Sequence, residues 1–172
     1  MTEVLDPAHE AMMEAAKPTK QHDWLTQLVG EWEYEATMEE PDKPPVKLRG
    51  TERVTSLAGI WVVGEGEGEM PGGGCQSMRV TLGYDPSKNR FVGTWVGSMM
   101  PMLWVYDGYL DDAERILTLE SEGPSCTKVG EIGKYRDVVE LVNPDYRTMT
   151  ARFLDDNGVW QDMMTMHYRR KK

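Results

Sequence analysis

From Glu31 onward the chain alternates between apolar and polar positions. In "EWEYEAT", Trp32, Tyr34 and Ala36 fall on one face and Glu31, Glu33 and Glu35 on the other. That period of two is the signature of a half-buried strand. The two segments "KLRGTERVTSLAG" and "IWVVGEGEGEM" read as the next pair of strands. Further short apolar runs follow: "SMRVTLGY", "RFVGTWVGSM", "LWVYDGYL", "RILTLESEG", "YRDVVELV", "YRTMTARFL" and "VWQDMMTMHYR". They are separated by turns such as "DPSKN", "NPD" and "DDNG", whose Asp, Asn, Gly and Pro residues end strands. "EEPDKPP" is read as a loop, because Pro41, Pro44 and Pro45 cannot join a sheet ladder.

The N-terminal segment has a different period. "DPAHEAMMEAAK" places Asp6 as a helix N-cap and Pro7 at the first helical position. In "TKQHDWLTQLVG", Trp24, Leu25, Leu28 and Val29 recur at helical spacing, and Gly30 is a natural stop. No helical pattern interrupts the strands after residue 30, which argues against a parallel βαβ fold. The expected fold is all-β: an antiparallel up-and-down barrel of about eight to ten strands behind a short helical segment. A barrel is favoured over a sandwich because closure removes exposed edges. The expected organisation is an N-terminal helical extension over 1–19 and one barrel domain over 20–172.

The segment "GEGEGEMPGGG", Gly64 to Gly74, admits three readings. A phosphate loop would need a Lys and a Ser or Thr opening a helix; none follows, and three glutamates would repel phosphate. A domain linker is disfavoured by similar strand patterning on both sides. Period two leaves a strand with Glu65, Glu67 and Glu69 outward and Gly64, Gly66 and Gly68 inward, ending in a "PGGG" loop. Inward glycines leave interior volume or let another element approach closely.

A barrel of this size fills its interior or holds one small ligand. The candidate pocket residues are Gly66, Gly68, Met78, Trp95, Trp104, Tyr106 and His167. Alternation puts Trp104, Tyr106, Gly108 and Leu110 on the interior face. Phe91, Gly93, Trp95 and Gly97 share one face, which alternation alone does not orient. Thirteen methionines, several clustered around residues 99–102 and 163–166, suit an adaptable apolar surface. His167 is expected to face inward with Met163 and Thr165, which leaves haem ligation as an alternative to a cofactor-free pocket. No GxSxG or HExxH occurs, and Asp111-Asp112 and Asp155-Asp156 sit in turns, so no catalytic residue is assigned. An enzyme acting on a small hydrophobic substrate stays as an alternative and predicts inward polar groups converging in one cavity.

Composition removes several function classes. With 29 acidic against 19 basic residues the formal charge is -10, which disfavours nucleic-acid partners. The basic Arg169-Arg170-Lys171-Lys172 block reads as a solvated tail. No run of about eighteen apolar residues exists, and the N-terminus lacks the pattern of a signal peptide, so a cytoplasmic protein is expected. Cys75 and Cys126 lie in loops and are read as free thiols, with a single bridge as the alternative. Dimerisation through an exposed strand face is a further expectation.

Taken together, "HDWLTQLVGEWEYEA", "GEGEMPGG", "TLGYDPSKNRFVGTWVGSMMPMLWVYDGYLD" and "MTMHYRRKK" resemble a bacterial family of unknown function, DUF1579, over roughly residues 20 to 170. That family is similar to the calycin barrels: lipocalins, fatty-acid-binding proteins and the haem-binding nitrobindins. "GEW" at Gly30 to Trp32 looks like the Gly-x-Trp of a lipocalin first strand. The resemblance implies that Trp32 closes the barrel floor beneath an Arg from near the chain end, Arg169 or Arg170. It also makes His167 loosely comparable to the nitrobindin haem ligand. Tyr34 and Ala36, however, stand where the nitrobindin pattern has glycines.

Overall fold

The computed structural model describes residues 6–38 and 43–172. Much of the "EEPDKPP" segment therefore lies outside the described residues. Two short helices, α1 (Pro7–Ala15) and α2 (Lys20–Thr26), precede ten strands. These are β1 (Gly30–Met38), β2 (Val46–Leu57), β3 (Trp61–Glu69), β4 (Cys75–Asp85) and β5 (Arg90–Gly97). They continue as β6 (Met100–Leu110), β7 (Ile116–Pro124), β8 (Ile132–Asn143), β9 (Tyr146–Leu154) and β10 (Trp160–Arg170). Each strand pairs antiparallel with the next, and β1 closes on β10 to give a continuous barrel. The expected all-β meander is the observed one, and closure leaves no unpaired edge.

The helices follow from their caps. Asp6 Oδ1 accepts from the Ala8 and His9 amides, and Pro7 opens α1, which buries no side chain. In α2, His22 Nδ1 accepts from the Thr19 amide at 2.9 Å. His22 is buried, edge-on to Tyr84, so it caps the helix from within the fold rather than in solvent.

Helix α2 closes one end of the barrel. Trp24, Leu25 and Leu28 are buried against the strand interior, and Trp24 Nε1 donates to the Glu114 carbonyl at 2.7 Å. Trp32, wholly buried, donates from Nε1 to the Leu28 carbonyl. Arg170 lies 4.2 Å above the Trp32 ring. Its guanidinium also donates to the carbonyls of Val29, Gln27 and Pro144, tying β10 to the α2–β1 junction and to the β8–β9 turn. Of the two arginines expected to cover Trp32, it is Arg170 that does so, while Arg169 lies over Tyr146.

The glycine-rich strand behaves as period two requires. Gly64, Gly66 and Gly68 are buried and Glu65, Glu67 and Glu69 are exposed. Gly72, Gly73 and Gly74 have φ of 83°, 101° and 94°, values that L side chains rarely adopt, so the loop after β3 needs glycine. The inward glycines are not simply empty space. Gly50 and Gly68 sit side by side on β2 and β3, and a Cβ on either would overlap the Tyr34 side chain. A Cβ on Gly66 would meet Met78 Cε at 2.5 Å. These glycines seat a tyrosine and a methionine against the wall.

Gly68→Ala is accordingly expected to destabilise the fold by about 1–3 kcal/mol through overpacking. Adding Tyr34→Phe removes the hydroxyl that clashes and should recover part of that loss in urea denaturation. Equal stability of Gly68→Ala and wild type would show that Tyr34 moves freely.

Candidate functional site

The inward residues divide into two levels. At the α2 end, Trp32, Val54, Val62, Leu82, Phe91, Leu117, Leu119 and Val139 are buried and form a solid floor. At the opposite end, the inward residues of β4 to β10 keep part of their surface. Gln76, Met78, Trp95, Met102, Trp104, Tyr135, Ala151 and Phe153 are all only partly buried. The inner wall is therefore sealed at the α2 end and less completely buried at the other, the mouth end. On the β1–β3 side, Tyr34 over Gly50 and Gly68 narrows it.

Alternation carries six of the seven candidate residues to this inner face. Gly66, Gly68 and Met78 stand on β3 and β4, Trp95 on β5, and Trp104 and Tyr106 on β6. Trp95 and Trp104 are direct cross-strand partners near the mouth. Trp104 meets Tyr135 edge-on, with ring centroids 4.9 Å apart, and occupies the space above Gly123. Tyr106 lies deeper and is buried.

His167 is the exception. Its neighbours Met166 and Tyr168 are buried, 4% and 3% exposed, so His167 faces the outside of β10. There its ring stacks on Tyr146, with Nδ1 2.7 Å from the Tyr146 hydroxyl. The expectation of an inward His167 is corrected, and with it the geometry for haem ligation inside the barrel. The physical reason is a bulge between Asp162 and Met164, which takes Met163 out of the alternation. The inward phase of β10 is Met164, Met166 and Tyr168. Among the described residues, no group of three His, Cys, Asp or Glu gathers as a metal site. Cys75 and Cys126 are free and exposed.

Three charged residues in the barrel interior were not anticipated. Glu52 and Arg147, 7% and 5% exposed, form a buried ion pair on the floor side. The Arg147 guanidinium lies between the rings of Tyr168 and Trp32, 3.9 and 4.8 Å from their centroids. Its Nε has no hydrogen-bond partner, and the two aromatic faces stand in for one. The third is Asp137 on β8. Tyr106 donates to its Oδ2 at 2.5 Å. Burial pushes the Asp137 carboxyl up to about 6, although the Tyr106 hydrogen bond favours its charged form. Burial, and then the Asp137 charge, push the Tyr106 phenol well above its ordinary value.

A weak sequence signal for these residues existed. Glu52 is in phase with Leu48 and Val54, Asp137 with Val139, and Arg147 with Met149. Each is a charge at an apolar phase, and an inward charge needs a partner.

The outer wall carries its own features. A groove of about 730 Å³ is lined by Trp61, Val92, Thr94, Val105 and Asp107. Val105 in its lining and the nearby Leu103 are 59% and 58% exposed. A second groove, of about 460 Å³, is crossed by the Arg53–Glu31 and Arg79–Glu65 ion pairs. No helix among the described residues is long and apolar enough to cross a membrane.

Fold and site together define a closed, lipocalin-like antiparallel barrel with α2 packed across one end. The chain belongs to the family described as "Protein of unknown function (DUF1579)", whose model matches residues 17–170. Its structure is similar to that of Rv2717c from M. tuberculosis, with a TM-score of 0.63 at 11% identity, covering 91% of this chain and 100% of that one. It also resembles the S-type phycobiliprotein lyase CPES from Guillardia theta, with a TM-score of 0.55 at 12% identity, covering 94% and 97% of the two chains. At these identities the likeness is one of fold. None of the curated proteins compared with the chain matches it.

Proposed function

We propose that this protein binds a small amphipathic molecule in the mouth half of its barrel. The observation that carries the reading is the graded burial of the inward face, solid at the α2 end and partly accessible above. The accessible half offers Trp95, Trp104, Met78 and Phe153 as an adaptable apolar lining. Beneath it, Asp137 and Tyr106 supply the few polar groups that orient a ligand.

Titration of tryptophan fluorescence with dodecanol tests this, since Trp95 and Trp104 line the lumen. A saturable change is expected. It should be lost in Ala151→Phe, which adds a ring to the inner wall of β9, and kept in Val96→Phe on the outer wall. Absence of saturation, or binding indifferent to Ala151→Phe, would overturn the reading.

A second reading, an enzyme acting on the same class of molecule, draws on Asp137. A carboxyl held at about 6 beside a phenol is suited to proton transfer near neutral pH. Recovery of every bound molecule unchanged by mass spectrometry would leave the binding reading alone.

A further inference from the structure

The lumen contains one charge that no described residue neutralises. Of the inward charged side chains, Glu52 and Arg147 neutralise each other, and Arg170 is spent on floor carbonyls, Trp32 and Asp145. Asp137 has no Lys or Arg partner among the described residues. Its Oδ2 is taken by the Tyr106 hydroxyl. Its Oδ1 accepts from no described residue, yet it is not among the sealed polar atoms that lack partners. The residue itself keeps part of its surface although protein surrounds it. Oδ1 is therefore an unpartnered acceptor on the inner wall that is not fully sealed.

The way to that oxygen is aromatic. Tyr135 is the next inward residue toward the mouth on β8, and Phe153 is its cross-strand partner on β9. Trp104 stands edge-on to Tyr135. An unneutralised carboxylate below a collar of ring faces is the arrangement that attracts an organic cation. The rings stabilise the positive charge through their quadrupoles, and the carboxylate pairs with it. An anionic head would meet the Asp137 charge instead, since Arg147 is already paired with Glu52 and covered by Trp32 and Tyr168.

We propose that the lumen selects a cationic amphiphile, an alkylammonium head hydrogen-bonded to Asp137 Oδ1 with its chain running out past Trp104, Tyr135 and Phe153. This rests on the lumen being the binding site. It adds the charge of the molecule, which the barrel fold leaves open. The head keeps at least one N–H, because Oδ1 is an acceptor without a donor. The Tyr106 hydroxyl holds the carboxylate in place from the other oxygen and is a positioning group.

The raised proton affinity of Asp137 agrees with an unneutralised site, and a bound cation would lower it. The titratable groups that interact with Asp137 are Tyr106 from β6 and Tyr168 from β10, both neutral phenols. Arg147 from β9, which interacts with Tyr168, is committed to Glu52 from β2.

Three probes of one chain length separate the outcomes: dodecylamine, dodecanol and dodecanoate, each titrated by tryptophan fluorescence at pH 7.5 below its aggregation point. The amine should bind at least about tenfold tighter than the alcohol, and dodecanoate more weakly than either. In Asp137→Asn, an isosteric change that still accepts from Tyr106, the amine should lose its advantage over dodecanol. If Asp137→Asn does not fold, the wild-type order of the three probes still decides. Should the alcohol bind as tightly as the amine, or the amine keep its advantage in Asp137→Asn, the cation proposal falls while the lumen reading stands. If none of the three binds, both fall.

Discussion

Asp137→Asn is expected to raise the stability of the ligand-free protein at pH 7.5. Burial holds the Asp137 carboxyl at about 6 against an ordinary 3.8. The folded chain therefore binds this proton more tightly than the unfolded chain does. Where the folded state holds more protons, stability falls as pH rises. The loss develops from about 3.8 upward and is complete above about 6. At neutral pH the difference amounts to ~3 kcal/mol against the fold. An amide of the same shape escapes this cost and still accepts from Tyr106. For a chain of this length the gain corresponds to roughly 6–12 °C in Tm. Thermal unfolding of the two proteins at pH 7.5 and 4.5 checks both magnitude and sign, since the advantage should shrink at the lower pH. A variant no more stable than wild type at pH 7.5 would mean that a partner for Asp137 offsets its burial. A residue that destabilises its own fold and survives at the foot of an open lumen fits a functional role.

The second large effect is of opposite sign. Arg147→Met should destabilise by about 3–5 kcal/mol, because Glu52 is left buried without its counter-charge. The loss of the Tyr168 and Trp32 ring faces around the guanidinium adds to it. Glu52→Gln combined with Arg147→Met should restore a large part of the loss, since no lone charge then remains at that site. Urea denaturation of the two single variants and the double variant measures the coupling directly. Purely additive losses would show that Glu52 finds another way to be solvated. Asp137 and Glu52 thus behave differently although both are inward carboxylates: one is matched within the fold and the other is not.

How much of this could be read from the chain depends on the range of the interactions. Strand alternation is local, so Trp32/Tyr34/Ala36, the glycine strand and the Trp104/Tyr106/Gly108 face were legible at once. The floor clamp of Arg170 on Trp32 came from the resemblance, not from periodicity. The misorientation of His167 arose because one extra residue at the β10 bulge moves Met163 out of step, and a one-residue change reverses the faces. The interior ion pair was invisible for a different reason: Glu52 and Arg147 are 95 positions apart and meet only when β1 closes on β10. Alternation shows that Asp137 shares a phase with Val139, but only the closed barrel shows that no Lys or Arg among the described residues reaches it. The glycines were rightly placed inward, yet their large neighbours, Tyr34 and Met78, were not foreseen as the occupants.

The plug at the α2 end has a kinetic side. With Trp24, Leu25, Leu28 and the Arg170 clamp sealing the base, a guest of the proposed kind would enter and leave by the same end. Exchange is then strictly last in, first out: the end that enters first is the last to escape. On the proposed binding reading, residence time would be set by the rim, including the three-glycine loop after β3, and equilibrium affinity by the wall below. The two can be tuned separately, so a stiffer rim would slow loading and unloading alike and leave occupancy at equilibrium where it was.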